Sequence, residues 1–378
     1  VDEIRFVFTN ELKTSEITGI KVDPEGNPIL DMNFGFEIYN ELDELIATAE
    51  SHETTGELWF LPDGEVIPVT PLVLPYGYYS IKELTETEYT YIGYELWEDG
   101  EMVDSGTEEE IDFMAGEVDE IRFVFTNELK TSEITGIKVD VGENPIDGVV
   151  FDFEIHDDQD ALVATATSDP VTGELMFTPV GEVTPVTPLV LPYGYYTITE
   201  LDEYGFTFVS VDLYEDGSMV GSSVTPTIGF NVGDVDEIRF MFKNTMVYNY
   251  ETAYAIYGPD GGGELNDIRG NKNWGWYIAA PDLAEGESQY YDIYAGAGQN
   301  DISKGTYVGQ VEVGIEDGYY VTTFHLIDIV ILDEVHFGTY EDYNDIPKAP
   351  GQFTNDLPAV DVKFFVIHMV VGIPMLIE

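Results

Sequence analysis

The chain has 378 residues, enough for about three domains. Acidic residues number 74 against 14 basic, a net charge of −60, which excludes nucleic acid as a partner on electrostatic grounds. There is no cysteine, so no disulfide staples the chain and an extracellular fold needs another source of robustness.

Hydrophobic content is 44%, enough to give each domain a core, and 25 Tyr with 21 Phe favour strands. The acidic excess keeps a surface soluble in salty surroundings and makes cations its expected partners. No cofactor is signalled. Acidic runs such as Glu108 to Glu110 and Asp157 to Asp160 are expected to hold Ca²⁺ weakly at most. The longest apolar run, Phe364 to Ile377, contains His368, Gly372 and Pro374 and falls short of a membrane-spanning segment.

Val1 to Asp23 reads VDEIRFVFTNELKTSEITGIKVD, and Val118 to Asp140 repeats it letter for letter. A shorter, altered copy, VDEIRFMFKNTM, occupies Val235 to Met246. The three starts lie 117 residues apart, so the stretch is a junction: a closing strand, a short linker and the next opening strand. The sequence begins on Val1 with no Met and no leader, as expected of a processed end or of a piece of something longer.

In chain order, alternation predicts strands throughout. Ile4, Phe6, Phe8 and Asn10 share one face of the first copy. An opening strand follows at Ile17 to Val22, then the turn Pro24 to Pro28 and a strand with Phe34, Phe36 and Ile38 on one face. Glu41 to Glu50 is the one stretch with a hint of helix; its counterpart, Asp158 to Thr167, is rich in Val and Thr, and both read as strand or loop. The Pro-rich segment from Val69 leads into Ser80-Ile81-Lys82-Glu83, and two further strands end in Glu120 to Leu129. The second unit repeats this order with Val186 to Glu200 and Glu237 to Met246. The fold class is all-β: two tandem Ig-like β-sandwiches at 13–129 and 130–248, then a third, different β-sandwich at 249–378, with 1–12 as an orphan closing strand.

The order of Lys-Val-Asp then Gly-Asn-Pro, of Tyr-x-Ile-x-Glu, and of a closing Val-x-Phe-x-Asn-Glu resembles the Cna-B type of β-sandwich of Gram-positive pilins and adhesins. The resemblance covers Lys13 to Met246. It implies an internal isopeptide bond from a Lys on the first strand to an Asn on the last, promoted by a Glu on a middle strand. Carried over, these are Lys21, Glu83 and Asn127 in the first repeat and Lys138, Glu200 and Asn244 in the second. The Gly-Ala-x-Phe that often follows the first turn in the family is replaced here by Asp31-Met32-Asn33-Phe34 and Gly148-Val149-Val150-Phe151.

Side-chain parity supports the assignment independently. Asn127 shares a face with Phe123 and Phe125, and Glu83 with Ile81 and Tyr79, so both point among apolar groups. Burial there favours a neutral Lys amine and a protonated Glu. Asn244 persists although Thr126 and Glu128 have become Lys243 and Thr245, and Glu200 persists beside the change of Lys82 to Thr199.

From about Tyr250 the pattern changes. Asn273 to Tyr277, Tyr294 to Gln299, Ala349 to Phe353 and Phe364 to Val371 resemble an uncharacterised β-rich module of bacterial and archaeal surface proteins, which implies a surface location only. His325, His336 and His368 lack a short ligand spacing and read as satisfied or exposed histidines. Trp274 and Trp276 read as core rather than as a sugar platform, and Gly261 to Gly263 is followed by no Lys-Ser/Thr of a phosphate loop.

No nucleophile elbow, zincin motif or dinucleotide fingerprint is present, so an enzyme is not expected. The expected function is an extracellular structural subunit of a cell-surface filament, sheath or stalk; the alternative is an adhesin that binds a carbohydrate or protein through 249–378. The orphan strand, with Ile4, Phe6 and Phe8 on one face, belongs either to a preceding repeat or to a neighbouring subunit. In the second case it acts as a donor strand in a head-to-tail homo-oligomer, with Asn10 placed for an intersubunit bond.

Overall fold

The computed structural model of the chain describes residues 5–7, 10–258, 261–268, 270–327, 329–353 and 362–375. The fold is all-β, and among the described residues the helical segments are five short 3₁₀ turns. No helix among the described residues is long and apolar enough to cross a membrane.

The first sandwich is built from β1 (Thr14–Val22), β2 (Gly35–Asn40), β3 (Leu45–Ser51), β4 (Leu58–Pro62), β5 (Leu72–Pro75), β6 (Gly77–Glu83), β7 (Tyr89–Glu98), β8 (Glu101–Gly106), β9 (Glu110–Ala115) and β10 (Glu120–Leu129). One five-stranded sheet runs β5-β1-β10-β7-β8 and the other β4-β3-β2-β6-β9. The stretch with a hint of helix is thus the turn and strand of β3. β1 and β10, the first and last strands, are parallel neighbours, with Lys21 opposite Phe125. The two-residue period puts Ile121, Phe123 and Phe125 inside while Arg122 stays exposed. They meet Phe34, Phe36, Ile38 and Ile81, each contributing roughly 1.5–3 kcal/mol by leaving water.

The second sandwich repeats the plan with β11 (Thr131–Asp140), β12 (Asp152–Asp157), β13 (Leu162–Ser168), β14 (Leu175–Pro179), β15 (Leu189–Pro192), β16 (Gly194–Glu200), β17 (Phe206–Glu215), β18 (Ser218–Ser223), β19 (Thr227–Val232) and β20 (Glu237–Met246). Its sheets run β15-β11-β20-β17-β18 and β14-β13-β12-β16-β19.

The C-terminal part contains β21 (Tyr248–Ala255), β22 (Gly262–Glu264), β23 (Trp276–Ala279), β24 (Ser288–Ala295), β25 (Thr306–Glu316), β26 (Tyr319–Leu326), β27 (Ile331–Tyr340) and β28 (Phe364–Pro374). It is built differently from the two sandwiches. A single eight-stranded sheet runs β22-β23-β28-β21-β24-β25-β26, with β27 also paired to β28. β28 carries the long apolar run because it is central and buried on both faces, which removes alternation from its sequence. Phe365, Ile367, Met369 and Val371 join one apolar cluster and Val366 the other. Trp276 lies in the core and Trp274 packs against it.

By its contacts the chain forms two compact units. One takes in the described residues of Val1–Val139, with Pro145–Leu201 and Ser210–Phe242. The other takes in Asp140–Asn144, Asp202–Val209 and the described residues of Lys243–Glu378. Of the expected donor strand, Ile4 and Phe8 lie outside the described residues. Phe6 and Asn10 are exposed, and neither Arg5 to Val7 nor Asn10 to Lys13 belongs to a strand.

Candidate functional site

Three polar side chains converge in the core of the first sandwich. Lys21 comes from β1, Asn127 from the adjacent β10, and Glu83 from β6 in the opposite sheet. The local sequence fixes each position. The Lys21 backbone N–H donates to the carbonyl of Gly56 at 2.8 Å. Gly56 has φ +71°, and a Cβ there would lie 2.8 Å from the Lys21 carbonyl oxygen, so the Thr55-Gly56 turn requires glycine. The β10–β7 register shifts between Thr126 and Asn127, a bulge of the kind that re-aims a side chain.

Lys21 is fully buried, Asn127 is 2% exposed and Glu83 4%. Lys21 Nζ donates to both Glu83 oxygens at 2.7 Å, and Asn127 Nδ2 donates to Glu83 Oε1 at 2.6 Å. Asn127 Oδ1, also buried, accepts no hydrogen bond among the described residues. The walls are aromatic: Lys21 Nζ lies 4.7 Å from the Phe34 ring centre, 5.7 Å from Tyr91 and 5.9 Å from Phe125. Burial holds the Lys21 amine down at about 8, against the opposing pull of Glu83. Burial pushes the Glu83 carboxyl up, with Lys21 and Asn127 opposing. Both shifts favour passing the proton from Lys21 to Glu83.

The second repeat places its candidates alike. Lys138 Nζ donates to Glu200 Oε2 at 2.6 Å and sits 4.5 Å from the Phe151 ring centre. Burial again brings the amine to about 8. Asn244 is buried on β20 at the position matching Asn127. Gly173 stands where Gly56 does, with φ +75° and its would-be Cβ against the Lys138 carbonyl.

Such a site can join an amine to a carboxamide. A neutral Lys can attack the Asn Cγ, and a protonated Glu can turn its hydrogen bond onto Asn Oδ1, where negative charge develops. Of the aromatic walls, Phe34 was placed by alternation on one face with Phe36 and Ile38 but not assigned to the site, and Tyr91 was not singled out by sequence.

Among the described residues no group of three or more His, Asp or Glu is arranged to hold a metal. The histidines of the C-terminal sheet fall into two environments. His325 is exposed, with Nε2 3.0 Å from Glu312. His336 and His368 face each other across β27 and β28, Nδ1 to Nδ1 at 3.2 Å. His368 is buried against the Tyr254 and Phe353 rings, and burial, then His336, holds it down at about 4. A histidine depressed from 6.5 stabilises the fold fully above its unfolded value and loses that contribution as pH falls from about 6.5 toward 4. We expect His368→Phe to remove about 3 kcal/mol of this acid sensitivity. Urea unfolding of both chains at pH 7 and pH 4 checks it; equal pH dependence would refute it.

Fold and site together define a protein of tandem β-sandwiches, each holding a buried Lys and Glu pair with an Asn on its closing strand. No family model and no curated protein matches the chain. Among solved structures it is similar to the Bacillus anthracis TIE protein, at 15% identity and TM-score 0.40, over 85% of this chain and 47% of that one. The chain thus spans about half the length of that protein. It is also similar to a major pilin of Streptococcus pyogenes, at 15% identity and TM-score 0.34, over 62% of this chain and 97% of that one. A C-terminal fragment of the pilus adhesin SpaC from Lactobacillus rhamnosus GG matches at 14% identity and TM-score 0.33, over 62% and 98%. Likeness at these scores carries no information on function.

Proposed function

We propose that the chain is an extracellular structural subunit of a cell-surface filament, sheath or stalk, with Cna-B-type sandwiches at 13–129 and 130–248 locked by Lys21–Asn127 and Lys138–Asn244 isopeptide bonds. The observation that carries this is the buried contact of Lys21 and Asn127 with one Glu83 carboxylate in an aromatic interior. Lys21 gives a proton to Glu83 and attacks Asn127 Cγ. The Cγ–Nδ2 bond breaks, a Lys proton reaches Nδ2 through Glu83, and ammonia leaves. Each bond ties a first strand to a last one, so pulling on the ends cannot peel the sandwich open. If the loop-entropy relation for disulfides transfers, each also stabilises by about 4–5 kcal/mol. Intact mass of the denatured chain should fall short by two ammonia molecules, with branched peptides at these residues. A full mass would refute the proposal.

We extend it to assembly. The first copy of the junction, with Phe6 and Asn10, is proposed to add as a strand to a neighbouring subunit and propagate head to tail. Deleting Val1 to Leu12 is expected to abolish polymerisation. Polymers of the shortened chain, seen by electron microscopy, would rule out donor-strand addition.

A further inference from the structure

A cavity of about 260 Å³ opens beside the first triad, lined by Glu83 and Asn127 together with Tyr89, Tyr91, Glu109 and Lys130. It has room for several water-sized molecules, and ammonia is of that size. Elsewhere the triad is walled by aromatic rings: Phe36 packs on Phe125 at 4.7 Å between centres, and the Phe34 ring centre lies 4.7 Å from Lys21 Nζ. Ammonia held there would stay within reach of the new amide and could reverse the step. The cavity lining carries polar groups among its aromatic ones, Glu109 and Lys130 included, and the Tyr91 hydroxyl is fixed by donating to the Glu108 carbonyl at 2.8 Å. In the sequence, the residues 117 positions on from Tyr89, Tyr91, Glu109 and Lys130 are Phe206, Phe208, Pro226 and Val247. The polar groups of Tyr89, Tyr91, Glu109 and Lys130 therefore belong to the first repeat, while Thr85, Glu86 and Thr90 have polar counterparts in Asp202, Glu203 and Thr207.

We propose that this cavity receives the ammonia released from Asn127 and passes it to solvent, and that the first bond consequently forms faster than the second. The inference rests on the cross-link reading above. The step balances: one N–C bond forms at Lys21, the Cγ–Nδ2 bond breaks, and the Lys21 ammonium gives up two protons; one leaves on Nδ2 as ammonia, and the other, held on Glu83, follows it out as ammonium, which restores the Glu83 carboxylate. Thr85 and Thr90, exposed residues of the lining outside the triad, provide the means to close the route.

The test starts from full chain recovered in urea from inclusion bodies and shown by intact mass to have lost no ammonia. After dilution, each bond is timed by mass spectrometry of its branched peptide. Thr85→Trp and Thr90→Trp are each expected to slow the first bond about tenfold, a barrier change that leaves the second bond untouched. The second bond, in the same molecule, reports that the chain has folded. Tyr91→Phe with Lys130→Val gives two of these four positions the second repeat's residues and should narrow the gap between the two rates. Unchanged first-bond rates in these variants would overturn the exit route while leaving the cross-links standing. Absence of both bonds from the unsubstituted chain would overturn the cross-links, and the exit route with them.

Discussion

Replacing Glu83 by Gln is expected to leave the chain one ammonia short instead of two. Gln keeps the shape of Glu and can still bond Asn127, but it takes no proton from Lys21 and returns none to the leaving nitrogen. Without the Glu83 charge, burial lowers the Lys21 amine further, so what the variant lacks is the acid that protonates the leaving nitrogen and bonds the developing oxyanion. Glu200 and Lys138, 2.6 Å apart, are unaltered, so the second bond still forms and serves as an internal control. Glu83→Ala should go further. It leaves the fully buried Lys21 without its counter-charge, a loss of about 3–5 kcal/mol. The missing cross-link removes about 4–5 kcal/mol more. A domain holds roughly 5–15 kcal/mol in all, so the first sandwich of Glu83→Ala should be close to unfolded while the second persists. Peptide mapping and a urea titration read the two effects separately. A Lys21–Asn127 branched peptide from the Gln variant would remove Glu83 from the chemistry.

The inward placement of Glu83 and Asn127 was legible in the sequence because a strand has a period of two, whereas their grouping with Lys21 came from the resemblance to the Cna-B type. Asn127 follows Phe123 and Phe125 on one face, and that parity alone places it in the core. Strand ends were less legible. β1 begins at Thr14, three residues before the expected Ile17, because Ser15 is tied down by distant backbone: its hydroxyl donates to the Val118 carbonyl and accepts from the Gly116 N–H. Neighbours brought together from far apart had no local signal. The parallel β1–β10 pairing joins residues a hundred positions apart, and the bulge at Asn127 exists only against β7. The C-terminal sheet was the least readable part. β28 reads as an apolar run with no face to assign, and His336 meets His368 only through the β27–β28 register.

Lys21→Met, Glu83→Leu and Asn127→Leu made together should separate what the triad does for chemistry from what it does for stability. The reference is Asn127→Leu alone, which keeps the Lys21–Glu83 pair but has no carboxamide to attack. Desolvating two charges costs several kcal/mol each, and their attraction across 2.7 Å repays that only in part. Apolar side chains of similar volume, set against Phe34 and Phe125, avoid the cost. The triple variant is therefore expected to match the reference or exceed it by about 1–4 kcal/mol, while remaining unable to cross-link. Urea midpoints with an unchanged slope would measure the difference. That outcome would make the polar triad a burden on the uncross-linked fold, offset only once the bond has closed. A triple variant several kcal/mol less stable than the reference would instead make Lys21 and Glu83 an ordinary structural pair, and the energetic reason to expect a cross-link at this site would be gone.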